Sequence, residues 1–121
     1  MVTLATVARD AGITAITDLL DGGDVYFKIA AGTEVATVGL AATAFGVAAT
    51  GTVTAAATTP DTSAVGGLIA SALLRTSAAA TVATCTVTVT GGGGDITISS
   101  LTIGAGDTVS ITSLTMTQPA S

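Results

Sequence analysis

Eight carboxylates, three basic groups, one thiol and one phenol are the ionisable side chains of this sequence, and it has no histidine. Without imidazole there is no ordinary general base, no Ser-His-Asp or Cys-His arrangement and no usual zinc site. Asp18, Asp21 and Asp24 are spaced so that they could offer oxygens to a calcium ion, but they lack the ligand density of an EF-hand loop. A solvated helix end accounts for them. Gly91-Gly92-Gly93-Gly94-Asp95 has the glycine content of a phosphate loop without its Lys-Ser/Thr or a following helix, and it reads as a flexible hairpin loop. Cys85, the lone cysteine, lies in the strand-like run Val82–Thr90 and reads as a small buried side chain of a protein made in a reducing cytoplasm. Thr84, Thr86, Thr88 and Thr90 resemble one rung set of an ice-binding threonine ladder. The pairs Thr52/Thr54, Thr86/Thr88 and Thr115/Thr117 share no common period, however, so strand propensity explains them. Arg9, Lys28 and Arg75 are too few to form a nucleic-acid footprint. The residues therefore assign no catalytic, cofactor or metal site, and the expectation is a protein that is not an enzyme.

The chain that must position these groups has 121 residues, one domain's worth. Charged residues are 9% of it, against about 25% in an average soluble domain. Thr (25) and Ala (24) dominate, while Val, Ile, Leu, Met and Phe together number 33. Mean hydropathy is +0.80, which raises the question of a membrane span. The longest uncharged run, between Glu34 and Asp61, is full of Gly and Thr and lacks the Leu-Ile-Phe density that drives insertion. No membrane association is expected. Met1–Ala5 lacks a basic region and Arg9-Asp10 breaks the apolar run, so no signal peptide is expected either.

Periodicity predicts a short helix over 6–21 and a β body over 24–118, within a single domain 1–121. Val7, Ala11, Ala15 and Leu19 form the expected apolar stripe, with Ala8 and Ile16 flanking; Thr6 can cap the start, and Gly22-Gly23 can stop the end. The short Gly22-Gly23 link favours packing of the helix on its own β body over docking on a neighbour. Val25, Phe27 and Ile29 then alternate with Asp24, Tyr26 and Lys28. Further strands are expected over 35–40, 46–58, 64–76 and 81–90. Another pair is expected near 95–98 and 101–103, and a last strand over 108–118. Thr59-Pro60-Asp61-Thr62 and Gly104-Ala105-Gly106-Asp107 read as turns. Over 64–76 a strand is preferred to a helix, because Gly66-Gly67 would open a helix badly. In 81–90, Cys85, Val87 and Val89 face one way. In the last strand the inward parity shifts from Val109 and Ile111 to Leu114 and Met116, as a bulge near Thr112-Ser113 would cause.

These elements predict a mainly β fold, an antiparallel β-sandwich or jelly roll with a short N-terminal helix. A core so rich in Ala and Gly stabilises one chain only marginally against backbone ordering. A surface with so little charge also protects poorly against edge-to-edge association. Both point to burial by other subunits, as a trimer or dimer or on a larger assembly.

Several stretches resemble a family of small virion proteins of tailed bacteriophages and prophages. They are Leu19-Leu20-Asp21-Gly22-Gly23, the strand Val25-Tyr26-Phe27-Lys28-Ile29, Ala44-Phe45-Gly46 and Gly51-Thr52-Val53-Thr54-Ala55. The strongest match is Gly94–Ile98 with Ile103–Pro119. The chain departs at Leu73-Leu74-Arg75, where relatives carry an aromatic before the arginine. The resemblance implies a non-enzymatic structural protein: a decoration (cement) protein on the outer capsid surface, with the major capsid protein and copies of itself as partners, no cofactor and no nucleic acid. A tail or neck component, or a secreted or surface ligand-binding sandwich such as a carbohydrate-binding module, is the alternative. The net charge of −5 argues against a DNA-facing position.

Overall fold

Alternation of small polar and branched apolar residues gives most of this chain to strands, and the computed structural model, described here over residues 2–118, is mainly β. One helix, α1 (Thr6–Asp18), precedes ten short strands: β1 (Asp24–Lys28), β2 (Glu34–Gly39), β3 (Thr52–Thr54), β4 (Gly67–Leu68), β5 (Ser71–Arg75), β6 (Thr81–Cys85), β7 (Val87–Val89), β8 (Ile96–Ile98), β9 (Thr102–Ile103) and β10 (Ser113–Thr117). They form two four-stranded sheets, ordered β2-β1-β5-β6 and β3-β10-β8-β7, and a two-stranded β4-β9 pair. A single core joins them: Val25, Phe27, Val38 and Leu74 from the first sheet meet Val53, Ile96, Ile98 and Leu114 from the second. Val25 and Phe27 are fully buried, with Asp24, Tyr26 and Lys28 half-exposed between them, as alternation requires.

The helix turns a different face inward from the one its alanines suggested. Ile13, Thr17 and Leu20 are buried, whereas Val7 and Leu19 are 77% and 57% exposed and Ala11 and Ala15 face solvent. The stripe Ile13-Ile16-Thr17-Leu20 also repeats at three and four residues and carries more apolar bulk than Val7-Ala11-Ala15-Leu19. Two polar anchors fix the rotation. The Arg9 Nε–H donates to the Gln118 carbonyl at 2.9 Å, and the Gly51 amide donates to the Asp10 carboxylate at 2.6 Å. The helix therefore packs on its own β body. It ends at Asp18, earlier than position 21; Ala5, not Thr6, occupies the N-cap and provides no side-chain cap. Gly22, at φ +70°, reverses the chain after it.

Three strand expectations also change. Residues 46–58 are not one strand but a hairpin whose tip, Thr50-Gly51, has φ of 53° and 75°, the positive pair of a two-residue turn. Ala49 and Thr52 exchange backbone hydrogen bonds across it, which leaves β3 only three residues long. The run 81–90 breaks at Thr86, with β6 in the first sheet and β7 in the second. The glycine loop after it makes no hairpin: β7 and β8 are parallel, with Val87 opposite Ile96 and Val89 opposite Ile98. A loop this short can bring the chain back parallel because its backbone packs where no side chain fits. Gly91 and Gly93 have φ of 88° and 79°. A Cβ on Gly92 or Gly94 would lie 2.7 or 2.9 Å from the Thr88 side chain.

The last strand is interior, between β3 and β8, and its parity shifts where expected, from Val109 (buried) to Leu114 (buried). A bend at Thr112 breaks it, however, so β10 starts only at Ser113, and Val109 makes an isolated bridge to Asp61. Asp61 makes the predicted turn bond, accepting from the Ser63 amide at 2.9 Å, and also accepts from the Thr37 amide at 2.8 Å. Leu114, 1% exposed, fills the core from the middle of its sheet, whereas Ile111 is half-buried. Leu114→Ala is expected to cost about 2–5 kcal/mol in denaturant unfolding, and Ile111→Ala distinctly less. Equal losses would show that β10 does not carry the core.

Candidate interaction surface

The structure separates the residues whose spacing suggested chemistry. Asp18 is exposed at the helix end, Asp21 accepts from the Ala44 amide at 2.9 Å, and Asp24 pairs with Arg75. No group of three or more potential metal ligands comes together among the described residues. Cys85 is buried where β6 leaves the first sheet, and Thr84 and Thr86 are exposed beside it. Burial, reinforced by the Asp95 carboxylate, pushes the Cys85 thiol up to about 11.

Most of the chain's ion-pairing capacity lies on the outer face of the first sheet. Register sets Asp24 beside Arg75, and Lys28 beside Glu34 on one side and Ser71 on the other. Arg75 donates to both Asp24 oxygens, at 2.7 and 3.0 Å, and its guanidinium lies 4.4 Å from the centroid of the Tyr26 ring. The Asp24 bond raises the Arg75 pKa above its ordinary value. Thr37, across from Tyr26, donates its hydroxyl to Glu34 at 2.6 Å. The result is a flat face with one planar cation held rigidly over one aromatic ring, the residue types that anchor protein interfaces. Sequence reading missed this cluster because Asp24 and Arg75 lie 51 residues apart and only the β1–β5 register unites them. The available signal was Arg75 ending a strand-like run whose alternate residues, Ala72 and Leu74, point inward.

Elsewhere the surface is aliphatic. Val2, Val7, Leu19, Val47, Val65, Leu68 and Val89 are each between 46% and 96% exposed. No helix among the described residues is long and apolar enough to cross a membrane. No protein-family model, curated protein or solved structure matches the chain.

The Asp24–Arg75 pair, about a quarter exposed or less on each side, should show a coupling of about 0.2–1 kcal/mol in an Asp24→Ala/Arg75→Ala double-mutant cycle. A coupling of zero would mean the cluster is not held in solution. For Cys85, the raised folded pKa means that the native state keeps a proton the unfolded thiol, ordinarily at 9.0, loses first. Its contribution to stability is whole below pH 9 and is lost as pH rises towards about 11. Cys85→Ala should flatten the stability profile over that window; an unchanged slope would contradict the burial of the thiol.

Proposed function

We propose that this chain is a structural virion protein of a tailed phage, a decoration or cement protein that binds the major capsid protein between capsomers on the outer surface of the head. The observation that carries the reading is the set of seven large aliphatic side chains left exposed among the described residues, on a chain with only eleven charged residues. Such a surface suits shallow, repeated contact with a lattice. The resemblance of its segments to small phage virion proteins supports the same reading. A protein of this kind binds the assembled lattice and not its dissociated parts, so it stabilises the head by mass action. The Tyr26–Arg75–Asp24 cluster offers a preorganised anchor for that contact. It serves a sugar less well, because the guanidinium already covers the Tyr26 ring.

Undecorated shells of the major capsid protein provide the test. Added protein should co-sediment with them saturably, in a fixed ratio to the shell subunit, and raise their melting temperature. Tyr26→Ala with Arg75→Ala should weaken binding tenfold or more. No binding to shells, or attachment to purified tails alone, would contradict the proposal.

A further inference from the structure

Each sheet has two edges, and the fold covers them unequally. Along β2, the Val35 carbonyl accepts from the Val65 and Gly66 amides, the Thr37 amide reaches Asp61, and Gly39 exchanges two backbone bonds with Thr59. Along β3, the returning arm of the 45–52 hairpin covers the edge: Gly46 donates to Thr54, and Ala49 pairs with Thr52. At β7, the Gly92 amide takes the Val89 carbonyl. Among the described residues no element other than β5 hydrogen-bonds to β6. β6 also carries no charge and no proline, the usual protections of an open edge.

A second open edge faces it. β10 pairs with β3 over Thr115–Thr117 but with β8 only over Ser113–Leu114. The Leu114 carbonyl accepts from Ala55, and the Gln118 amide donates to Gly51, so both point towards the β3 hairpin. By strand alternation the backbone groups of Thr115 and Thr117 point the other way, and no loop backbone group reaches them among the described residues. Between the two edges lies a groove of about 360 Å³, with Ala83–Cys85 on one wall, Thr115–Thr117 on the other and Gly93–Asp95 at its end. β8 lies between β7 and β10, and β6 continues into β7, so beyond the start of β8 the gap between β6 and β10 is one strand wide. With paired strands about 4.8 Å apart, an extended segment there can pair with both walls.

From this we infer that the groove is a strand-acceptor site whose occupant is the segment Val2–Ala5 of a second copy of this chain. That segment is Val-Thr-Leu-Ala, uncharged and favourable for strand pairing. It is not helical, Ala5 has extended dihedrals, and Val2 is 76% exposed. Among the described residues, no backbone hydrogen bond joins Val2–Leu4 to the β body. The segment precedes the helix end that Arg9 ties to Gln118, the residue that follows β10, and its Leu4 is half-buried. Exchange of this segment between copies would join them by backbone pairing, with Val2 and Leu4 on one side of the inserted strand and Thr3 on the other. The inference deepens the proposed structural role by supplying the contact between copies, and its test needs no capsid.

Sedimentation equilibrium of the full chain should show reversible self-association at micromolar concentrations. Thr3→Pro, which removes a donor from the segment, and Thr115→Arg, which fills the groove from an exposed position, should each weaken it tenfold or more without lowering the melting temperature. The two variants mixed should recover a one-to-one complex, since one keeps the groove and the other the segment. A monomeric wild type, two variants that associate normally, or a mixture that fails to complement would each overturn the inference. Capsid binding that survives in both variants would leave the decoration reading intact while self-association is lost. A groove that takes a peptide of the capsid protein in preference to Val-Thr-Leu-Ala would overturn the choice of occupant.

Discussion

The rest of the structure depends on a corner at Thr86. There the Asp95 carboxylate accepts from the Thr86 amide at 3.0 Å and from its hydroxyl at 3.1 Å, while the Asp95 amide donates to the same hydroxyl at 3.1 Å. This reciprocal clamp satisfies backbone groups at the point where the chain leaves one sheet for the other. Thr88 secures the next step, accepting from the Gly94 amide at 3.0 Å. One continuous run thus serves as the edge of both sheets, β6 in the first and β7 in the second. Because the loop from Val89 to Ile96 returns the chain parallel, β8 begins beside Val87 with Ile96 opposite Leu114, and so does not extend to Thr115. The open groove is the geometric consequence of that shortfall.

The mainly β class, the helix at the start and the inward residues of β1 and β10 were legible in the sequence, because alternation and turn residues are local signals. Gly22 and Gly104–Asp107 marked turns for stereochemical reasons that hold in any fold, whereas Thr59 and Asp61 are bridge residues and the chain bends only at 62–63. The misreadings concern choices made by partners distant in sequence. Ala11 and Ala15 fit the helical period as well as Ile13 and Thr17 do; the greater apolar bulk of the Ile13 stripe and the anchors at Gln118 and Gly51 decide which face turns inward. The tetraglycine loop reads locally as a hairpin; its parallel return is set by the fit of Gly92 and Gly94 against Thr88. The Tyr26–Arg75–Asp24 anchor was invisible for the same reason, since strand register is not written in either strand alone.

Low charge runs through every level of this molecule. It lets short strands of Thr and Ala pack closely without burying unpaired ions, and no buried side-chain polar atom lacks a hydrogen-bond partner among the described residues. It also leaves Val7, Leu19, Val47 and Leu68 in contact with solvent and β6 without the charges that usually guard an edge. On the proposed reading, a chain built this way would gain stability from packing partners. That constraint ties the thin core to a proposed life within an assembly, where copy and lattice cover the surfaces that the single fold leaves open.

Interstrand nuclear Overhauser effects test the corner at Thr86 most directly. Contacts between the backbone protons of 87–89 and 96–98 should follow the parallel register, with Val87 beside Ile96 and Val89 beside Ile98. The Thr86 amide should exchange slowly in wild type and rapidly in Asp95→Ala. An antiparallel pattern, with Val89 beside Ile96 as in a hairpin across the glycines, would contradict the two-sheet strand and the groove that it creates.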